Sequence, residues 1–282
     1  MQIRWEIELE TDSGGAWYPA YEMDFVEFTD KIYYCYNLNT ASSSKVVVYV
    51  FNDMGEFNIK TYDFDKTIGL PSNPHRRWRY QVESGDLLLY TGNKWLNISN
   101  EQITDQEGFQ VEIPKSEYVY PNNQKFTLDN KTISFPTERT VICMKHDTKE
   151  ILWKHALKGY PYTMIEQKNG CVLFGTAGKG GALYCIDIET GKIMRDVSTK
   201  GTVHYCWYEN RILMSDEYGH LQLVDPFSEK QIGIVKLRNR LVGYSTMIVD
   251  KDQLYAVTFS NTKKVGTDKI PYITCFSLNA IQ

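Results

Sequence analysis

The residues of this chain that could do chemistry are scattered, apart from one dense basic run, HRRWRY (residues 75–80). On an extended backbone successive side chains point to opposite sides, so Arg77 and Arg79 share one face while Arg76, Trp78 and Tyr80 take the other. Two guanidinium groups on one face suit an anion or carboxylate clamp through bidentate contacts, and they suit a solvated outer face as well. A second set is aromatic: Trp17, Tyr18, Tyr118, Tyr120, Tyr160, Tyr162, Tyr205 and Tyr244, with His204, sit in GGAWYPAY, SEYVYPNN, KGYPYTM, KGTVHYCWY and LVGYSTM. Such side chains combine large contact area with a polar tip and favour the centres of protein interfaces, though they also wedge well between packed sheets. His204 with Asp216 or Glu217 is the pairing with acid–base potential, since a carboxylate can orient an imidazole and move its pKa.

Other chemistries fail on spacing. GTAGKGG (175–181) has glycine and lysine, but a phosphate loop requires GxxxxGK followed by Ser or Thr on a strand-to-helix turn, and here Lys179 precedes Gly180. HExxH, GxSxG, a GxGxxG after a strand and an EF-hand loop are all absent from the sequence. The six cysteines, at 35, 143, 171, 185, 206 and 275, form no CxxC and no Cys/His pair at zinc spacing, so no metal and no cofactor is expected and the thiols read as small core hydrophobes. Thirty-one Lys and Arg against 35 Asp and Glu leave a net charge of -4, which offers no broad positive field for nucleic acid. The longest purely apolar run, VVVYVF, is far short of the ~20 residues of a membrane-spanning helix. MQIRWEIELE lacks the apolar core of a signal peptide, so a cytoplasmic protein is expected.

The elements that must position these residues follow from a repeat. Aligning EILWKHAL, KIMRDVS, QIGIVKL, GFQVEI and EFNIKTY puts Trp153, Arg195, Ile234, Val111 and Ile59 in one column, with separations from Ile59 onward of 52, 42, 42 and 39 residues. A period near 40 with four short apolar runs per unit is the spacing of a propeller blade. In the clearest unit the runs are YTMIEQ, CVLFGTA, ALYCIDI and KIMRDVS. Asn169-Gly170 supplies a tight hairpin, and Asp187 with Gly191 a turn between the two outer strands. KHDTKEILW and LVDPFSEKQI repeat that phrase without the glycine, which predicts a different or more strained turn. The last repeat stops after three strands, and QIRWEIEL (residues 2–9) matches EILWKHAL with Trp5 where Trp153 stands. The N-terminal strand is therefore expected to complete the last blade.

LYCIDIETGKIMRD and VICMKHDTKEILWKHAL resemble the PQQ-like repeats of quinoprotein dehydrogenases and of many non-enzymatic β-propellers; the likeness is good from about 138 to 237 and weak before 120. Units beginning near Ala16, Arg76, Gln124, Tyr162, Thr202 and Tyr244 predict an all-β, six-bladed propeller in a single domain spanning 1–282; a seventh blade would have to hide in the long spacings around Ile59. The resemblance does not extend to the quinone. Quinoproteins of this family are larger and eight-bladed, with calcium, an adjacent-cysteine disulfide and Trp at most blades, whereas Trp stands in that column here only at Trp5 and Trp153.

Propellers bind on the face where loops lead into the innermost strands. That places Trp17, Tyr18, Arg77, Arg79, Tyr118, Tyr120, Tyr160, Tyr162, His204, Tyr205 and Tyr244 on one aromatic-rich surface. The sequence thus points to a monomeric, non-catalytic propeller binding a protein or peptide, as a scaffold or an inhibitor of immunity type. The alternative is a hydrolase or lactonase-like enzyme with a metal or His/carboxylate site in the channel. It would draw on Glu22, Asp24, Glu83, Asp129, Glu166 or Asp250 near inner runs.

Overall fold

Short runs of β-branched and aromatic residues broken by Asn, Asp and Gly leave little room for helix, and every regular element among the described residues is a strand. The computed structural model describes residues 1–9, 24–39, 44–64, 79–83, 86–90, 95–98, 102–104, 126–128, 130–137, 139–161, 163, 165–198, 204–216, 219–228, 231–235, 237, 240–242, 247–260 and 271–278. The chain divides into two compact units, one of residues 1–118, 245–260 and 266–282, the other of 119–244 and 261–265.

The first unit opens with β1 (Gln2–Glu8), then β2 (Asp24–Phe28), β3 (Lys31–Asn39), β4 (Ser44–Phe51) and β5 (Phe57–Phe64) in one four-stranded meander. β6 (Arg79–Glu83), β7 (Asp86–Tyr90), β8 (Trp95–Asn97) and β9 (Gln102–Thr104) form a second. The second unit holds β10 (Phe126–Leu128), β11 (Lys131–Thr137), β12 (Thr140–Lys145) and β13 (Ile151–Ala156) in sequence. Next come β14 (Tyr160–Pro161) and β15 (Glu166–Lys168), both paired to β16 (Cys171–Ala177), followed by β17 (Ala182–Asp187) and β18 (Ile193–Ser198). A further meander of β19 (His204–Tyr208), β20 (Arg211–Ser215), β21 (Leu221–Val224) and β22 (Gln231–Val235) precedes the short β23 (Arg240–Val242). β24 (Ile248–Asp250), β25 (Gln253–Ser260) and β26 (Pro271–Ser277) return to the first unit, where β1 pairs along β26. This is an all-β arrangement of small antiparallel sheets, consistent with a β-propeller-like fold.

The terminal pairing carries real contacts. Trp5 stands opposite Cys275 and Ile7 opposite Ile273, and a polar ladder crosses the sheet where Thr258 and Thr274 hydroxyls meet at 2.6 Å and Thr274 donates to Glu6. The middle strands are buried on both faces, which is why they read as continuous apolar runs: Val46 to Phe51 on β4, Cys171 to Ala177 on β16. All six cysteines are buried and reduced, and burial pushes the Cys275 thiol up to about 12.

The repeat column has a mechanical meaning. Trp5, Trp153 and Arg195 stand opposite Cys275, Cys143 and Cys185 on the preceding strand. From that position each reaches the outer turn of the neighbouring sheet. Trp5 Nε1 donates to Asp53 O (3.1 Å), Trp153 Nε1 to Ile188 O (2.9 Å), and Arg195 Nη1 to Ser228 O. The glycines in two of those turns make room: a Cβ on Gly191 would lie 2.5 Å from Trp153 Cγ, and one on Gly55 2.8 Å from Trp5 Cγ. Both also hold positive φ (70° and 86°), so a side chain there meets strain as well as a clash.

Two alignments need correction. In the β19–β22 sheet the column residue opposite Leu223 is Gly233, not Ile234: all three outer strands share the same register shift, and the residue set opposite Cys143, Cys185 and Leu223 is Trp153, Arg195 and Gly233, so the apolar Ile234 falls one position past the column. The outer strand of the β6–β9 sheet is Gln102–Thr104, while GFQVEI with Val111 lies outside the described residues. The glycine-free turn at 145–150 keeps the Asp187 turn's two backbone hydrogen bonds and takes the strain instead. Lys149, in the place of Gly191, holds φ at 58°.

Candidate functional site

Strand β19 sorts its residues by alternation. His204, Cys206 and Tyr208 face the buried side, and Tyr205 and Trp207 face β15 and β16 of the adjacent sheet. The Tyr205 hydroxyl donates to Leu173 O (3.3 Å), and Trp207 Nε1 donates to Glu166 Oε2 (2.6 Å). Lys168 Nζ sits 3.8 Å from the centre of the Trp207 ring and donates to Glu209 O, and Phe227 stacks nearly parallel to the indole at 6.3 Å. Burial raises the Glu166 carboxyl above the ordinary range, and the indole N–H and Lys168 partly offset that rise. Cys206 beneath it is also pushed up, mainly by burial and secondarily by Glu166. The cluster can hold a partly exposed aromatic platform rigid between a cation and a ring. Its carboxylate already accepts the indole N–H.

The sequence-predicted residues meet different fates. Tyr160 begins the neighbouring sheet on β14 and lies against Gly178, while His204 is buried at the start of β19 opposite Ser215. Tyr205 joins the core cluster around Leu173 and Cys185. Arg79 opens β6 opposite Tyr90. Trp17, Tyr18, Arg77, Tyr118, Tyr120, Tyr162 and Tyr244 lie outside the described residues. Of the two carboxylates considered for His204, Asp216 meets His220 instead, Nδ1 to Oδ2 at 3.2 Å, and receives the His220 N–H, while Glu217 lies outside the described residues. The reason is local: the Asp216 N–H donates to His220 O and the Gly219 N–H to Asp216 O, which brings the Asp216 and His220 side chains together. GTAGKGG is packing rather than phosphate chemistry, since a Cβ on Gly180 would lie 2.4 Å from Lys158 O.

No family model matches this chain, and no curated protein does. Solved structures match over much of its length. The computationally designed Ika8 protein matches over 90% of this chain and 96% of its own at 11% identity, with a TM-score of 0.42. BamB from Moraxella catarrhalis matches over 91% of this chain and 82% of its own at 9% identity, with a TM-score of 0.41.

Lys168 and Phe227 are members of the cluster that sequence reasoning does not single out. A signal existed: Glu166 and Trp207 are 41 residues apart, about one repeat, which is the separation that places two residues on successive sheets. Among the described residues, no three of His, Cys, Asp and Glu come together in a way that could hold a metal ion.

Proposed function

We propose that this protein is a cytoplasmic, monomeric, six-bladed propeller of PQQ-like repeats that binds a protein or peptide without catalysis, as a scaffold or an inhibitor. The observation that supports it best is the aromatic cluster of β19, with Trp207 held between Lys168 and Phe227 and only partly buried. Rigid aromatics of this kind lose little entropy on binding and bury much area. On this reading the binding face also includes Trp17, Tyr18, Arg77, Arg79, Tyr118, Tyr120, Tyr160, Tyr162, His204 and Tyr244. The arginines set orientation at its rim. The pairing of β1 with β26 supports a ring closed between the two ends of the chain.

The test is affinity capture from the native cell lysate with wild type and with Arg77→Ala/Arg79→Ala and Trp207→Ala. A stoichiometric partner that wild type holds and the variants release by tenfold or more supports the proposal. Equal retention by all three removes the face.

The hydrolase reading keeps one observation in its favour, the raised pKa of Glu166 near an inner strand. Stoichiometric calcium or zinc in the purified protein, lost on Glu166→Gln, would favour it.

A further inference from the structure

Asn169-Gly170 is the only Asn-Gly step in the chain. It forms the two-residue turn between β15 and β16, closed by the Lys168–Cys171 pair, and its φ angles of 51° and 74° are both positive, as a type I′ turn requires. Both residues are exposed, and a Cβ added to Gly170 would meet nothing within 4 Å. Water therefore has an open approach to the Asn169 amide. Glycine has no side chain to hinder its own backbone nitrogen, and Asn-Gly is the step at which that nitrogen most readily attacks the preceding side chain.

We propose that Asn169 is a self-modifying site, converted through a cyclic imide to aspartate or isoaspartate, and that the conversion draws β15 away from Trp207. The Gly170 amide nitrogen attacks Asn169 Cγ: a C–N bond forms, the bond from Cγ to the side-chain nitrogen breaks, and ammonia leaves with the proton that the Gly170 nitrogen gives up. Water then opens the five-membered ring. Attack at Cγ yields aspartate, and attack at the Asn169 main-chain carbonyl yields isoaspartate, in which the backbone runs through Cβ and Cγ. The net reaction consumes one water and gives a carboxylate and ammonium, with no oxidant, cofactor or enzyme.

The fold sets both the rate and the consequence. In a left-handed turn the Gly170 nitrogen points away from Asn169 Cγ, so ring closure waits for rotation about the Asn169 Cα–C bond and hence for the hairpin to open. That opening is local, because β15 is three residues long and pairs, among the described residues, with β16 alone. Isoaspartate adds a backbone carbon to a two-residue turn, which then no longer fits the Lys168–Cys171 pair. Either product sets a carboxylate beside Lys168, whose ammonium otherwise lies over the Trp207 ring and donates to Glu209 O. Glu166, which accepts the Trp207 indole N–H, rides on the same strand. An intact turn holds both against the indole, and a converted one releases them irreversibly.

The chemistry holds whether or not the aromatic face binds a partner. The experiment incubates the full wild-type chain at pH 8 and 37 °C, native and in 8 M urea, and follows Asn169 by peptide mapping. Isoaspartate is read by methyl transfer from labelled S-adenosylmethionine with an isoaspartyl methyltransferase. Native Asn169 is expected to convert faster than every other asparagine, between about tenfold and a thousandfold more slowly than in urea, as local opening allows. Its rate is expected to stay constant at urea concentrations below the unfolding transition, since opening one short hairpin exposes little surface. The isoaspartate form, separated by ion exchange, is expected to show the Trp207 indole N–H resonance moved to the free-indole position. A native rate outside that range, a rate that tracks global unfolding across the urea series, or a faster asparagine elsewhere overturns the site. An unmoved Trp207 resonance in the isoaspartate form overturns the release.

Discussion

Trp153 concentrates the physics of the fold in one side chain. It fills space above Gly191, satisfies Ile188 O and covers Cys143 across the strand pair. Trp153→Ala is expected to cost about 3–5 kcal/mol, and Trp153→Phe, which keeps much of the packing and loses the hydrogen bond, about 1–2 kcal/mol, read as urea midpoints. Lys149→Gly is expected to gain about 0.5 kcal/mol. The relief of the left-handed conformation slightly exceeds the entropy that glycine loses on folding.

Two carboxylates give opposite pH signatures. The Asp187 carboxyl lies below the usual range because the Thr190 N–H and hydroxyl donate to it, so its stabilisation is present above the unfolded pKa and lost as pH falls through the folded one. Glu166 is raised by burial, so the folded state binds its proton more tightly and stability declines as pH rises from the unfolded value through the folded one. Glu166→Gln is therefore expected to stabilise the protein at neutral pH and to flatten that decline, whereas Asp187→Asn destabilises at neutral pH and matters little in acid. Urea titrations at several pH values between 3 and 8 separate the two.

At the level of elements, the hairpins were legible and the edges were not. Asn169-Gly170, with φ of 51° and 74°, and the Asp187 turn formed as their residue types require, because a two- to five-residue turn depends on local backbone chemistry. The bulges escaped notice, since one extra residue in an outer strand leaves apolar spacing almost intact. The Ile234 alignment failed for another reason: it followed the apolar residue, whereas the column position, opposite Leu223, holds Gly233. Central strands shield the thiols: native protein is expected to resist iodoacetamide at pH 8, and all six cysteines to be alkylated in 8 M urea, as intact mass would show.

At the level of the whole molecule, the first and last strands are partners, with the Glu6 and Thr274 side chains joined by a hydrogen bond across 268 positions. Deleting residues 1–8 removes β1 with Trp5 and Ile7 from the sheet, and is expected to destabilise the protein by on the order of 5 kcal/mol and to expose the Ile273 and Cys275 edge to alkylation and hydrogen exchange.

The candidate site was legible only in part. Tyr205 is among the sequence's candidate aromatic residues, and Trp207 stands two positions on in the same KGTVHYCWY segment. The structure then spent their polar tips on Leu173 and Glu166 within the chain. By itself the amino-acid order determined the strand content, the near-40-residue repeat, the outer turns and the pairing of the termini, because each follows from alternation or from a turn's local stereochemistry. Only the tertiary structure decided which donor meets which acceptor on the neighbouring sheet, and where the outer strands shift register. Those outcomes depend on register, and a shift of one residue redirects every side chain at almost no change in composition.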